Sequence, residues 1–138
     1  MIPQLLVGVS ALVIGLLGGA HLLFTFSGAK LTPRDASVRA AMEGGSPMIT
    51  REITVWSAWV GFNASHSMGA LLYAAVYGYF ALAQPDLLFG SAYLLSLGAI
   101  TLAGYLFLGL RYWFSTPRNG IIIAFACYVT AVIVRAAM

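Results

Sequence analysis

Residues 1–29 read MIPQLLVGVSALVIGLLGGAHLLFTFSGA, and no charged side chain occurs among them. A helix that crosses the hydrocarbon core of a bilayer needs about 20 apolar residues, within a range of about 17–25. Backbone groups left unpaired in lipid cost several kcal/mol each, so a helix is the state such a run must take. Three more uncharged stretches follow, Ile53–Pro85, Leu87–Leu110 and Asn119–Val134. The last is short, but Pro117 can open its helix early, and Arg118 and Arg135 can snorkel to the interface. The sequence thus predicts an all-α fold, a single domain over 1–138. Its form is an integral membrane four-helix bundle with spans at about 4–27, 53–83, 89–112 and 119–136. The first span lacks a basic leader, and Gly18-Gly19-Ala20-His21 makes a poor cleavage site, so it is expected to be retained.

Composition supports this class. Of 138 residues, 61% are hydrophobic and 8% charged, where soluble chains carry about 25% charged residues. Such a chain could not cover its surface in water, which excludes a soluble enzyme, a disordered chain and an ordinary nucleic-acid binder. The net charge of +3 comes from basic residues placed between apolar runs. An anionic lipid surface, and not nucleic acid, is therefore the expected partner. Cys127 is the single cysteine, so neither an intrachain disulfide nor a multi-cysteine metal site can form.

The basic residues also give a direction. Lys30, Arg34, Arg39 and Arg51 lie in the first connection, and Arg111 and Arg118 flank the third. Only Arg135 falls on the other side, because the second connection, Gln84-Pro85-Asp86, has no basic residue. By the positive-inside rule the chain is multi-pass in the inner (plasma) membrane, with both termini outside and the basic loops cytoplasmic. Trp56, Trp59, Tyr112 and Trp113 then fall near the cytoplasmic interface, where amphipathic rings prefer to sit.

The first connection is the only sizeable polar region. Thr32 is expected as an N-cap, with Pro33 at the first helical position and Asp35 near the positive end. Val38, Ala41 and Met42 recur at helical spacing, and Asp35–Arg39 and Arg39–Glu43 are i,i+4 pairs of opposite sign. A short amphipathic surface helix ending at Gly44-Gly45 follows, with Ser46-Pro47 capping the next helix. Small residues mark close packing, which lipid does not otherwise drive. They are Ala11, Gly15, Gly18 and Gly19 in the first helix, Gly61, Ala64, Gly69 and Ala70 in the second, and Gly98, Thr101, Gly104 and Gly109 in the third.

Both histidines lie inside predicted spans. Counting inward at 1.5 Å per residue puts His21 about 13 Å and His66 about 10–15 Å deep, so they can meet at one level. Ionisable groups at such depth usually point into a bundle. Helical spacing gathers His21, Thr25, Asn63, His66 and Ser67 into one polar cluster with Trp59 beside it, and Thr101 and Tyr105 are further candidates. One reading is a hydrogen-bonded knot that fixes helix register. A second is a haem b with His21 and His66 as axial ligands, its propionates meeting Arg51, Lys30 or Arg34. A third is acid–base catalysis by His66 on a lipid-like substrate, with Asn63 and Tyr105 orienting it. No Asp or Glu occurs in any span, which weakens the third, and two histidines fall short of the four ligands of a structural zinc. Phosphate-cradling loops, Gly-x-Ser-x-Gly elbows and paired carboxylates are absent.

The strings Gly19-Ala20-His21-Leu22, Leu31-Thr32-Pro33-Arg34-Asp35, Trp59-Val60-Gly61-Phe62-Asn63-Ala64-Ser65-His66-Ser67-Met68-Gly69 and Arg111-Tyr112-Trp113-Phe114 resemble those of small bacterial four-helix integral membrane proteins. The resemblance covers most of the chain; it implies a fold and a bacterial membrane and carries no activity. Microsomal glutathione transferases share the size and span count, but their basic, His- and Glu-containing motifs do not occur here. The expected role is a non-enzymatic structural or accessory subunit that packs with other membrane helices or with itself.

Overall fold

The structure, a computed structural model, describes residues 1–138. It is all-α, with helices over 81% of the chain. They are α1 (Ile2–Phe26), α2 (Ala36–Gly44), α3 (Val55–Ala83), α4 (Pro85–Gly90), α5 (Ala92–Tyr112) and α6 (Ser115–Ala136). Three of them, α1, α5 and α6, are long and apolar enough to cross a membrane. That is the composition of a membrane protein.

The expected second span, 53–83, is not among those three. With 29 residues α3 is the longest helix, and it carries no charged side chain. Its apolar content is diluted by Ser57, Asn63, Ser65, His66 and Ser67 and by Tyr73, Tyr77 and Tyr79. At 1.5 Å per residue it is roughly 43 Å long, more than the roughly 30 Å of a hydrocarbon core.

Element ends differ from the sequence reading where caps compete. The third span starts at Ala92 and not near 89, because Ser91 adopts an extended backbone and its hydroxyl accepts from Leu94 N–H at 3.2 Å. The preceding residues form the separate short helix α4, opened by Pro85 and anchored by fully buried Leu88. The last helix starts at Ser115 and not at 119. Pro117 sits in its first turn, where N–H groups have no intrahelical acceptor, so the ring costs no hydrogen bond. The four added residues bring α6 to 22, which removes the shortfall of the fourth uncharged stretch.

The first connection also departs from expectation. Asp35, not Thr32, caps α2, and its side chain accepts from Ser37 N–H at 2.8 Å. The Thr32 hydroxyl instead donates back to the Ala29 carbonyl at 2.7 Å. Of the two ion pairs, Arg39–Glu43 forms, with Nε 2.6 Å from Oε1; Asp35 is occupied with the cap. The helix ends at Gly44 as expected, and Gly45 N–H donates to the Ala41 carbonyl. Thr54, not Ser46, caps α3: its hydroxyl accepts from Ser57 N–H at 3.1 Å. Glu52 accordingly lies before α3.

The chain forms two compact units, one of Met1–Leu17 with Ala70–Met138, the other of Gly18–Gly69. In the first, the buried side chains come from α1 (Val7, Ala11, Ile14), α3 (Tyr73, Tyr77, Ala81), α4 (Leu88), α5 (Leu102) and α6 (Ile121, Ala124, Tyr128, Ala131). Small residues set the approach of these helices, as lipid-embedded packing requires. A Cβ on Gly15 would stand 3.0 Å from that of Ala74. On Gly98 it would fall into the Tyr128 hydroxyl and 2.7 Å from Tyr77 Cε1. The Tyr73 and Tyr77 rings stack at 4.6 Å, and the Tyr77 and Tyr128 hydroxyls donate to the carbonyls of Leu94 and Leu95 at 2.8 and 3.0 Å. Large apolar side chains such as Leu12, Ile100, Phe107 and Ile133 point outward.

The second unit holds the end of α1, the first connection with α2, and the start of α3. Gly28 at φ +83° turns the chain out of α1, a conformation that costs other residues about 1–2 kcal/mol. Val55 N–H donates to the Gly45 carbonyl at 2.9 Å and closes the loop between α2 and α3. Met48 and Ile49 stand almost fully exposed on that loop.

Candidate functional site

The polar side chains of the second unit converge where the end of α1 meets the start of α3. Asn63 is buried, at 9% exposure, so both halves of its amide need partners. Its Nδ2 donates to the Trp59 carbonyl at 2.8 Å, one turn back along α3. Its Oδ1 stands 2.9 Å from His21 Nε2. An oxygen cannot donate, so Nε2 of His21 carries the proton and donates, in either protonation state of the ring. The His66 ring meets that of His21 edge to face, with centroids 5.4 Å apart and planes at 77°.

The structure thus joins His21, Asn63 and His66 directly. Thr25 and Ser67 join differently. Their hydroxyls donate along their own helices, to the carbonyls of His21 and Asn63, both at 2.8 Å. A helical Ser or Thr has its i−4 carbonyl within reach and commonly takes it. Trp59 ties the cluster to the connection: its Nε1 donates to the Leu31 carbonyl at 3.1 Å. Thr101 and Tyr105 belong to the other unit, where Thr101 donates to the Leu97 carbonyl at 2.8 Å and the Tyr105 ring stands 6.3 Å from Trp113.

This geometry does not fit an axial haem pair. Two imidazoles on one metal, with bonds near 2.0–2.1 Å, would place their ring centres about 6 Å apart. Here the rings are closer and in edge contact, and His21 commits Nε2 to Asn63.

A cleft of about 250 Å³ opens beside the cluster, and Thr25 and Asn63 belong to both. Its walls are aromatic, from Phe24, Trp56 and Trp59, and Arg39 lines it too. Two cations lie on those rings: the Arg39 guanidinium is 3.6 Å from the Trp56 centroid and the Lys30 ammonium 3.9 Å from that of Phe24. Each contact is worth about 0.5–1 kcal/mol at an exposed site. Sequence reasoning counted these tryptophans as markers of the interface and missed them as walls. The signal was the joint presence of an amphipathic helix bearing Arg39 and an aromatic pair at the start of α3.

No protein-family model, curated protein or solved structure matches this chain. What the site does chemically rests on the residues themselves. A neutral amide, two imidazoles and two hydroxyls that bond backbone supply links that orient helices; the cleft supplies aromatic faces and positive charge.

Proposed function

We propose that this chain is a four-span membrane subunit without chemistry of its own, which packs through α3 against further membrane helices. The observation that carries this reading is the outer face of α3. Gly61, Ser65 and Gly69 recur at four-residue spacing and all three are exposed, and a Cβ on Gly61 would meet nothing within 4 Å. Large apolar side chains, Phe62, Met68 and Leu72, flank the stripe. Small residues at i, i+4 let two backbones approach closely, which is how helices associate in lipid. The small residues expected on this helix therefore divide: Ala70 is buried, while Gly61 and Gly69 face outward.

In this reading α3 is the fourth span, both termini lie outside, and the basic connections face the cytoplasm of a bacterial inner membrane. The resemblance to small bacterial four-helix proteins supports it, as does the six-to-one bias of Lys and Arg. The His21–Asn63 link then serves to fix α1 and α3 in register.

The test is association in a mild detergent. Wild type is expected to migrate above monomer mass on native gels, as a self-assembly or with a co-purifying membrane protein. Gly61→Leu with Gly69→Leu should return it to monomer while leaving its helical content unchanged. A wild-type chain that migrates alone, and that cross-linking in the native membrane joins to nothing, would overturn the reading.

A further inference from the structure

We infer that the aromatic cleft of the second unit seats the headgroup of an anionic phospholipid. This rests on the membrane placement proposed above and not on subunit packing.

The cleft's volume of about 250 Å³ falls below the about 300–1,000 Å³ of pockets that enclose a drug-sized ligand. It therefore takes a headgroup and leaves the acyl chains outside. Apolar surface for those chains is at hand in the same unit, where Leu23, Phe26 and Phe62 are largely exposed.

The charge favours an anion. Arg39 lines the cleft and Lys30 lies on its Phe24 wall. Arg39 gives its Nε to Glu43, and a guanidinium has four further N–H donors in a fork that matches a phosphate. Stacking on Trp56 holds that fork without using them. Thr25, Thr32 and Asn63 add polar atoms along the lining for a headgroup's ester or hydroxyl oxygens. Tryptophan at the headgroup level of a bilayer is in its preferred place, and an anionic leaflet attracts basic residues at that level.

Native mass spectrometry tests this on the full chain, released from micelles doped with equal phosphatidylglycerol and phosphatidylcholine. The bound lipid should be enriched in phosphatidylglycerol about fivefold over the input, the ratio given by about 1 kcal/mol for a basic side chain at an anionic surface. Arg39→Gln with Lys30→Gln should bring the ratio to about one. Trp56→Leu, which keeps every charge, should lower it at least about twofold by releasing the Arg39 fork. Arg111→Gln with Arg118→Gln, in the other unit, should leave it unchanged. Far-UV circular dichroism identifies the variants that keep their fold. Absence of enrichment in wild type overturns the inference, as does equal loss in the Arg111/Arg118 variant, which would mark unspecific charge. Displacement by millimolar inorganic phosphate overturns it too, since the ligand would then be a free anion. All readouts are taken on the solitary chain, so the subunit reading can fail while this ratio stands. A chain that inserts in bilayers yet shows no enrichment defeats this inference alone.

Discussion

Asn63 uses both ends of its amide, and that is what distinguishes it from the other polar residues of the site. Its nitrogen is bound within α3 and its oxygen reaches His21 on α1. It links these two helix segments by a hydrogen bond, beside the edge contact of the His21 and His66 rings. Interhelical hydrogen bonds in membranes average about 0.6 kcal/mol and reach about 1.7. A double-mutant cycle of His21→Ala and Asn63→Ala, read by unfolding in mixed detergent micelles, should show a coupling in that range. Thr25→Val and Ser67→Ala should show no coupling across the helices, because their hydroxyls bond their own backbones. A zero coupling for His21 and Asn63 would remove the register role. Helical spacing and similar depth bring His21, Asn63 and His66 within reach of one another, but whether the two imidazoles meet is not legible from spacing; that comes from the ring contact and the hydrogen bond. The behaviour of Thr25 and Ser67 is not legible either, because spacing gives the face of a hydroxyl but not which of two nearby acceptors it takes.

At the scale of elements, α2 depends on its cap. It has nine residues, none buried, and so short a helix is marginal without tertiary support. The hydrogen bonds from Ser37 hold the Asp35 carboxyl below the usual carboxylate range. A lowered folded-state pKa means that this stabilisation is fully present above the ordinary value of about 3.9 and is lost as pH falls below it. Amide exchange in α2 should therefore lose protection as pH drops through about 4 and below. Asp35→Asn keeps a good capping side chain but does not titrate, so its protection should stay flat over that range; a matching loss in both proteins would exclude the cap as cause. Boundaries were the least legible feature. The uncharged runs reveal that helices exist, but Asp35, Thr54 and Ser91 each had nearby rivals of the same capping chemistry. Residue type alone does not choose between them. Pro117 does open its helix early, as read, but a proline marks a helix start only to within the first turn, so the boundary at Ser115 was not fixed by it.

For the whole molecule, α3 decides how many times the chain crosses the bilayer. Its residues, Val55–Ala83, carry no charge, yet only α1, α5 and α6 have the apolar content of a span by composition alone. The polar groups that lower it are largely satisfied inside the structure: Asn63 and Ser67 by helix and histidine, Tyr77 by the Leu94 carbonyl. Hydropathy scales count each as exposed to lipid, whereas the cost of an unpaired group does not arise once it is paired. That argues for a span that composition undervalues. The two ends of α3 offer a direct measurement. In a Cys127→Ser background, Ser46→Cys marks the first connection and Gln84→Cys the second. With a membrane-impermeant maleimide, Ser46→Cys should react only in inverted vesicles and Gln84→Cys only in right-side-out ones. Labelling of both from one face would mean that α3 returns without crossing, which would leave three spans and reverse the side on which Arg111 and Arg118 lie relative to Lys30, Arg34, Arg39 and Arg51. Arg135 would then join Lys30, Arg34, Arg39 and Arg51 on one face, and the six-to-one bias of basic charge would fall to five against two.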